Sequence, residues 1–223
     1  MVKLYDERAA QILEVPNGIV IVVTEQNMDD KAVVSYKYYS FSDHSLTQAM
    51  RDIYLRGKFG EHFNRYVEQI RDFINYRVTP LPDNRTLCIY PTGEAWVFNE
   101  NVDPVWSGKL NYKDFGPLGA VCIGRSVWVS FPDGDTILKY NARTMREELR
   151  IGSKRDGVFS RPCALSATDD KLIVCNSVSN CIEAVDTNTY AVERYASFDE
   201  PVYQYIKVGD NEVVRLESGV YLL

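Results

Sequence analysis

The sequence predicts an all-β chain: a five-bladed β-propeller closed by its N-terminal strand, with one helical insertion between blades 1 and 2. Three observations carry this. First, SVWVSFPDGDTILKYNARTMREEL from Ser126 aligns without a gap on KLIVCNSVSNCIEAVDTNTYAVER from Lys171, an offset of 45 residues. Second, each copy breaks into four short runs rich in Val, Ile, Tyr and Trp, separated by Gly, Pro, Asn and Asp, which is the grammar of strands and turns. A four-stranded unit recurring every 40–50 residues or so is a propeller blade. Third, the last copy stops one strand short, while the strand-like start of the chain belongs to no copy.

The elements follow in order. Val2, Lys3, Leu4 and Tyr5 form a short strand ahead of blade 1. Blade 1 is GIVIVVTEQNMDDKAVVSYKYYSFSDHSL from Gly18, with Phe41, Ser42 and Asp43 opening its last turn. Residues 51–75 break the repeat and are expected to form the helical insertion. From Phe59 to Ile74, apolar residues at Phe59, Phe63, Tyr66, Val67, Ile70, Phe73 and Ile74 keep helical spacing, with charges between them, so a helix is expected over Gly60 to Phe73. Blade 2 is TLCIYPTGEAWVFNENVDPVWSGKL from Thr86, aligned with a one-residue gap. Blades 3 and 4 are the ungapped pair. Asn141 and Asp186 open equivalent turns between the third and fourth strands, where their side chains can bond the backbone.

Blade 5, PVYQYIKVGDNEVVRLESGVYLL from Pro201, holds three strands at about Tyr203 to Val208, Glu212 to Glu217 and Gly219 to Leu223. An open sheet edge is a liability, so residues 1–6 are expected to supply the missing outer strand. The whole of 1–223 then reads as a single propeller domain.

The unit DDKLIVCNSVSNCIEAVDTNTYAVERY resembles the NHL, YVTN and SMP-30 type of propeller repeat, in its strand, N-x-x-x-N, strand and D-x-x-T grammar. The resemblance covers most of the chain outside 51–75. It implies blade architecture and leaves function open, since such propellers bind proteins, bind RNA or catalyse hydrolysis.

Composition narrows the field. At 45% hydrophobic and 25% charged, the chain is that of a globular protein. Its net charge of -6 disfavours nucleic acid and anionic membrane. The N-terminus carries charge throughout with no apolar core, so neither a signal peptide nor a membrane span is expected, and the protein reads as cytoplasmic. The five cysteines show no C-x-x-C and no histidine at ligand spacing, and are expected to be buried free thiols.

In a propeller, the loops between strands two and three emerge on the same end as the connections between blades. That end is expected to carry Glu25, Asn27, Asp29 and Asp30 of blade 1, Asp133 and Asp135 of blade 3, and Asn176 and Asn180 of blade 4. It also carries the connections NYKDFGP (Asn111 to Pro117) and GSKRDGVFSRP (Gly152 to Pro162). The insertion, with His62 and Arg65, is expected on or beside it, as junction cover, lid or docking surface. Lys154, Arg155 and Arg161 form the best basic cluster, read either as a solvated loop or as a contact for an anion or acidic peptide.

No catalytic constellation stands out: G-x-S-x-G, P-loop and G-x-G-x-x-G are all missing. A non-catalytic module binding a protein or peptide on the loop face is therefore favoured over an enzyme. The SMP-30 resemblance implies an alternative, a metal-dependent hydrolase or lactonase with Ca²⁺ held in the channel by Glu, Asn and Asp residues, though this chain lacks a clear match to that ligand set. A propeller binding sugar or another small ligand is the third reading. No cofactor is required by any motif.

Overall fold

In the computed structural model, residues 1–26, 32–70, 75–169 and 171–223 are described, apart from the side chains of residues 25, 26 and 32. The chain begins with β1 (Val2–Tyr5). Blade 1 follows as β2 (Gln11–Val15), β3 (Gly18–Gln26), β4 (Ala32–Ser40) and β5 (Leu46–Gln48). After the insertion, blade 2 comprises β6 (Arg77–Leu81), β7 (Arg85–Ile89), β8 (Glu94–Phe98) and β9 (Pro104–Lys109). Blade 3 is β10 (Ala120–Ile123), β11 (Ser126–Phe131), β12 (Thr136–Asn141) and β13 (Glu147–Ile151). Blade 4 is β14 (Pro162–Thr168), β15 (Lys171–Asn176), β16 (Cys181–Asp186) and β17 (Val192–Ser197). Blade 5 is β18 (Val202–Val208), β19 (Asn211–Leu216) and β20 (Gly219–Leu222), completed by β1. Each blade is a four-stranded antiparallel sheet, and the fold is the five-bladed β-propeller that the repeat predicts.

The fifth blade is closed as expected. β1 pairs antiparallel with β20, Val2 opposite Leu222, Lys3 opposite Tyr221 and Tyr5 opposite Val220. Its inner residues Leu4 and Tyr5 are buried, while Val2 and Lys3 face out.

The chain packs as two compact units, Met1–Asn64 with Val202–Leu223, and Arg65–Pro201. The first holds blades 1 and 5. Its core joins Leu4, Tyr5, Ile12, Ile19, Ile21, Val213 and Val220. The Gln204 side chain clamps the two blades by bonding both backbone groups of Ile12, accepting from its N–H at 2.9 Å and donating to its carbonyl at 2.7 Å. The second unit holds blades 2 to 4. One core runs from Leu87 and Val97 to Val129 and Leu138, and another from Trp128 and Ile137 to Leu172 and Val185. Strands such as β11 and β15 are buried on both faces, and successive side chains point to opposite sides, so Val127 and Val129 enter the first of these cores and Trp128 the second.

The turn between the third and fourth strands recurs with one chemistry. Arg143 and Thr144 donate their N–H groups to Asn141 Oδ1 at 3.0 and 3.1 Å. Asn188 and Thr189 do the same to Asp186 Oδ1 at 2.9 and 2.7 Å. In blade 2, Asn101 and Asp103 donate to Asn99 Oδ1, both at 2.9 Å. These backbone donors, Thr189 first and Asn188 next, hold the Asp186 carboxyl below its usual range. A lowered folded value means that the contribution is complete above about pH 4 and fades as the pH falls through the folded value. Asp186→Ala is therefore expected to lower the Tm at pH 7 and to lower it less at pH 3. An equal loss at both pH values would rule out the carboxylate as the cause.

The insertion is helical, within the expected stretch of about 51–75. It begins at Arg51, as α1 (Arg51–Phe59), turns through a 3₁₀ segment at Gly60–His62, and continues as α2 (Phe63–Gln69). The apolar stripe read from Phe59 onward extends back into α1, where Tyr54, Leu55, Lys58 and Phe59 are buried on one face. Gly57 is needed there, because a Cβ would lie 2.7 Å from Val15 Cγ1. The Tyr54 hydroxyl donates to Gln11 Oε1 at 3.2 Å, and its ring lies 5.0 Å from that of Tyr36. Phe73 and Ile74 lie outside the described residues.

Candidate functional site

The loop end of blades 2 and 3 forms an open cleft of about 660 Å³. Two connections build it, both named above from the sequence. The turn Tyr112–Phe115 is closed by two mutual backbone bonds, at 3.0 and 3.3 Å, which set the Tyr112 and Phe115 rings side by side with centroids 6.3 Å apart. The Tyr112 ring lies against Gly134, where a Cβ would sit 2.7 Å from Tyr112 Cδ1. Only glycine leaves that ring its place. Gly152, at φ +81, opens the second connection in the left-handed region that suits glycine. Ser153 donates to Asp156 through its N–H and its hydroxyl, each at 2.9 Å, and Val158 N–H donates to Asp156 at 3.2 Å. The carboxylate of Asp156 is thus engaged in holding its own loop. Buried Phe159 anchors that loop in the core of blades 3 and 4.

Four cations line the cleft, Lys113, Arg150, Lys154 and Arg155, against one carboxylate, Asp156. Three of them rest on rings. Lys113 Nζ lies 5.1 Å and Arg150 Cζ 5.4 Å from the Tyr112 centroid, and Lys154 Nζ lies 5.3 Å from that of Phe115. Cations over aromatic faces are attracted to the ring quadrupole. Arg150 also donates to the Tyr112 hydroxyl at 3.4 Å. Burial pushes the Tyr112 phenol up, but Lys113 and Arg150 outweigh it and leave the phenol below its ordinary value. Among the described residues none of the four cations is in an ion pair with a carboxylate. The site is therefore a field of positive charge on a chain of net charge -6, and it can take a ligand carrying negative groups.

Of the residues expected at a site, Arg155 lines this cleft. Asp133, Asp135 and Arg161 come together at its margin. Arg161 N–H donates to Asp135 Oδ1 at 2.7 Å, and its guanidinium stands 3.8 Å from Asp133. These acids brace the connection into blade 4. Asn176 is fully buried, accepts from Ser160 N–H at 3.0 Å and faces Glu183 at 3.4 Å, which makes it a structural residue. Burial raises the Glu183 carboxyl, opposed by Arg194. Asn180 takes a left-handed φ of 53° in the turn after β15, and its carbonyl accepts from Phe198 N–H at 2.8 Å. Glu25 lies in β3, with only its backbone described, opposite Val33. Asn27, Asp29 and Asp30 lie outside the described residues.

The second half of the insertion, α2, docks away from the loop end. Arg65 donates to the Asn101 carbonyl and Gln69 to that of Val102, both at 2.9 Å, and Tyr66 meets Phe98 edge-on at 5.4 Å. These partners form the turn between β8 and β9, at the end of blade 2 away from its β7–β8 loop. Burying the Tyr66 side of α2 and satisfying two turn carbonyls draws the helix to that end. His62 is exposed in the 3₁₀ turn.

The sequence reading missed Tyr112, Lys113, Phe115 and Arg150 as site residues. The signal was present as aromatic and basic residues interleaved in NYKDFG beside the KR pair of GSKRDG. Arg150, at the end of β13, reads like any exposed strand cation. Among the described residues, no three His, Cys, Asp or Glu gather as a metal-holding group. No helix among them is long and apolar enough to cross a membrane.

No protein-family model and no curated protein matches the chain in sequence. Solved structures match it in fold. A streptogramin B lyase superposes with a TM-score of 0.55 at 14% identity, covering 96% of this chain and 65% of that one. The virginiamycin B lyase from Staphylococcus aureus gives 0.54 at 15% identity, covering 95% of this chain and 64% of that one. The computationally designed protein Ika4 gives 0.51 at 13% identity over 66% of this chain and 88% of its own. The chain thus spans under two thirds of the length of the lyases, and at these identities the likeness is one of fold alone.

Proposed function

We propose that the chain is a non-catalytic binding module that seats an acidic segment of a protein or peptide in the cleft of blades 2 and 3. The observation that supports this reading is the set of four cations without carboxylate partners, three of them stationed on aromatic rings. Exposed cations of one sign attract anionic partners, and charge complementarity sets both partner choice and on-rate. The five free thiols support work in a reducing compartment, and we place it in the cytoplasm.

The test is fluorescence anisotropy with a labelled glutamate-rich peptide and its glutamine counterpart. The acidic peptide is expected to bind, more weakly as salt rises, and the neutral one is not. The double variant Lys154→Glu, Arg155→Glu changes only exposed side chains and is expected to weaken binding by about tenfold or more. Equal affinity for both peptides, or an unchanged affinity in the variant, would remove the basis of the reading.

A further inference from the structure

Twelve of the described residues other than glycine take a left-handed φ. That backbone carries a cost for an L-residue, and it persists where the surroundings over-determine it. Eleven of the twelve have a local reason. Seven are Asn, Asp or His, the types that visit this region most readily. Val102 and Met145, 1% and 6% exposed, bury their side chains. The Tyr190 ring lies 6.3 Å from that of Trp128, and the Arg161 guanidinium stands 3.8 Å from Asp133. The twelfth is Lys113, at φ 55° in the turn that builds the cleft. It is exposed, and its ammonium meets no carboxylate among the described residues.

The turn itself fixes this backbone. Asn111 Nδ2 donates to the Lys113 carbonyl at 2.8 Å, and Tyr112 and Phe115 bond each other on either side. Glycine would meet the same turn at less cost. The contact of Lys113 Nζ with the Tyr112 ring, at an exposed position, is weaker than the left-handed cost. Local structure therefore does not account for a lysine here. The other three cations of the cleft, Arg150, Lys154 and Arg155, have no left-handed φ. Resting on the binding role proposed above, we infer that Lys113 is a specificity-determining residue of the cleft, kept on strained backbone because its ammonium seats a carboxylate of the bound acidic segment. A residue held at such a position for its side chain marks a functional site.

The experiment measures thermal unfolding of the full chain, and anisotropy with the labelled glutamate-rich peptide, for Lys113→Gly, Lys113→Ala and Lys113→Arg. Alanine keeps the left-handed cost and loses the ammonium, whereas glycine loses both. Lys113→Gly is therefore expected to melt about 2 °C above Lys113→Ala. Both are expected to bind the peptide about fivefold more weakly than the unaltered chain, and Lys113→Arg to bind within about twofold of it. A residue with a merely structural role would not lose binding in the glycine variant and regain it in the arginine one. If the unaltered chain binds the peptide and Lys113→Gly binds it equally well, the inference is overturned and the acidic-segment reading stands. Equal melting of the glycine and alanine variants overturns it as well, because the strain is then missing. So does a loss in Lys113→Arg as large as in Lys113→Gly, because the charge is then not what binds. If the unaltered chain does not bind the peptide, both the inference and the reading fail.

Discussion

Replacing Leu4 and Tyr5 together by alanine is expected to lower the unfolding free energy by about 4–6 kcal/mol, comparable with the whole stability of a small domain. Both side chains are 8% exposed and belong to the core that joins blades 1 and 5. Removing them loses transfer free energy and leaves cavities that the surrounding sheet can only partly fill. It also loosens β1, whose pairing with β20 gives that strand its outer neighbour. Urea denaturation followed by circular dichroism measures the effect as a lower midpoint. The control is Val2→Ser in the same strand, where the side chain is 62% exposed, and where a change within about 0.5 kcal/mol is expected. Should the double variant unfold at the parental midpoint, β1 does not close the fifth blade in solution.

Trp128→Ala is expected to cost about 3–5 kcal/mol, whereas Trp128→Phe is expected to cost about 1 kcal/mol. Trp128 is 1% exposed and packs between blades 3 and 4 with Ile137, Leu172, Val174 and Val185. Lys139 Nζ stands 5.7 Å from its centroid, and the Tyr190 ring lies 6.3 Å away. Its indole N–H is buried without a hydrogen-bond partner among the described residues. Phenylalanine keeps most of the ring and removes an unmet donor, so lost volume and relieved desolvation partly offset each other. Alanine removes the ring as well. Thermal and urea unfolding of the two variants separates these terms. Equal destabilisation by both would mean that the indole N–H contributes a bond of its own.

The repeat was legible because it lives in local chemistry. Asn141 and Asp186 sit at matched positions, and each receives the backbone bonds its side chain is suited to accept. The closing strand was legible from an arithmetic of strands, three in blade 5 and one left over at the other end. The reason for Gly57 inside the insertion was not. Gly57 interrupts the stripe of α1, and only the proximity of Val15, far away in sequence, explains why a glycine stands inside a helix. Its docking end was also hidden, since Asn101 and Val102 offer carbonyls, which no side-chain pattern announces.

The candidate site divides in the same way. The connections Asn111 to Pro117 and Gly152 to Pro162 were visible as loops of one face, and the Lys154–Arg155 pair as a basic cluster. Asp135 and Asn176, read in sequence as loop-face residues, each accept a backbone N–H of the connection into blade 4, because an Asn or Asp near a loop is suited to satisfy stray backbone donors.

By itself the sequence determined the strand pattern, the count of blades and the closure of the fifth, because these depend on short apolar runs, turn chemistry and an unpaired edge, all written locally. The tertiary structure alone decided which loops meet and which cations go without carboxylates. Those depend on distances between residues about forty apart, such as Tyr112 and Arg150, and such distances exist only once the sheets have packed.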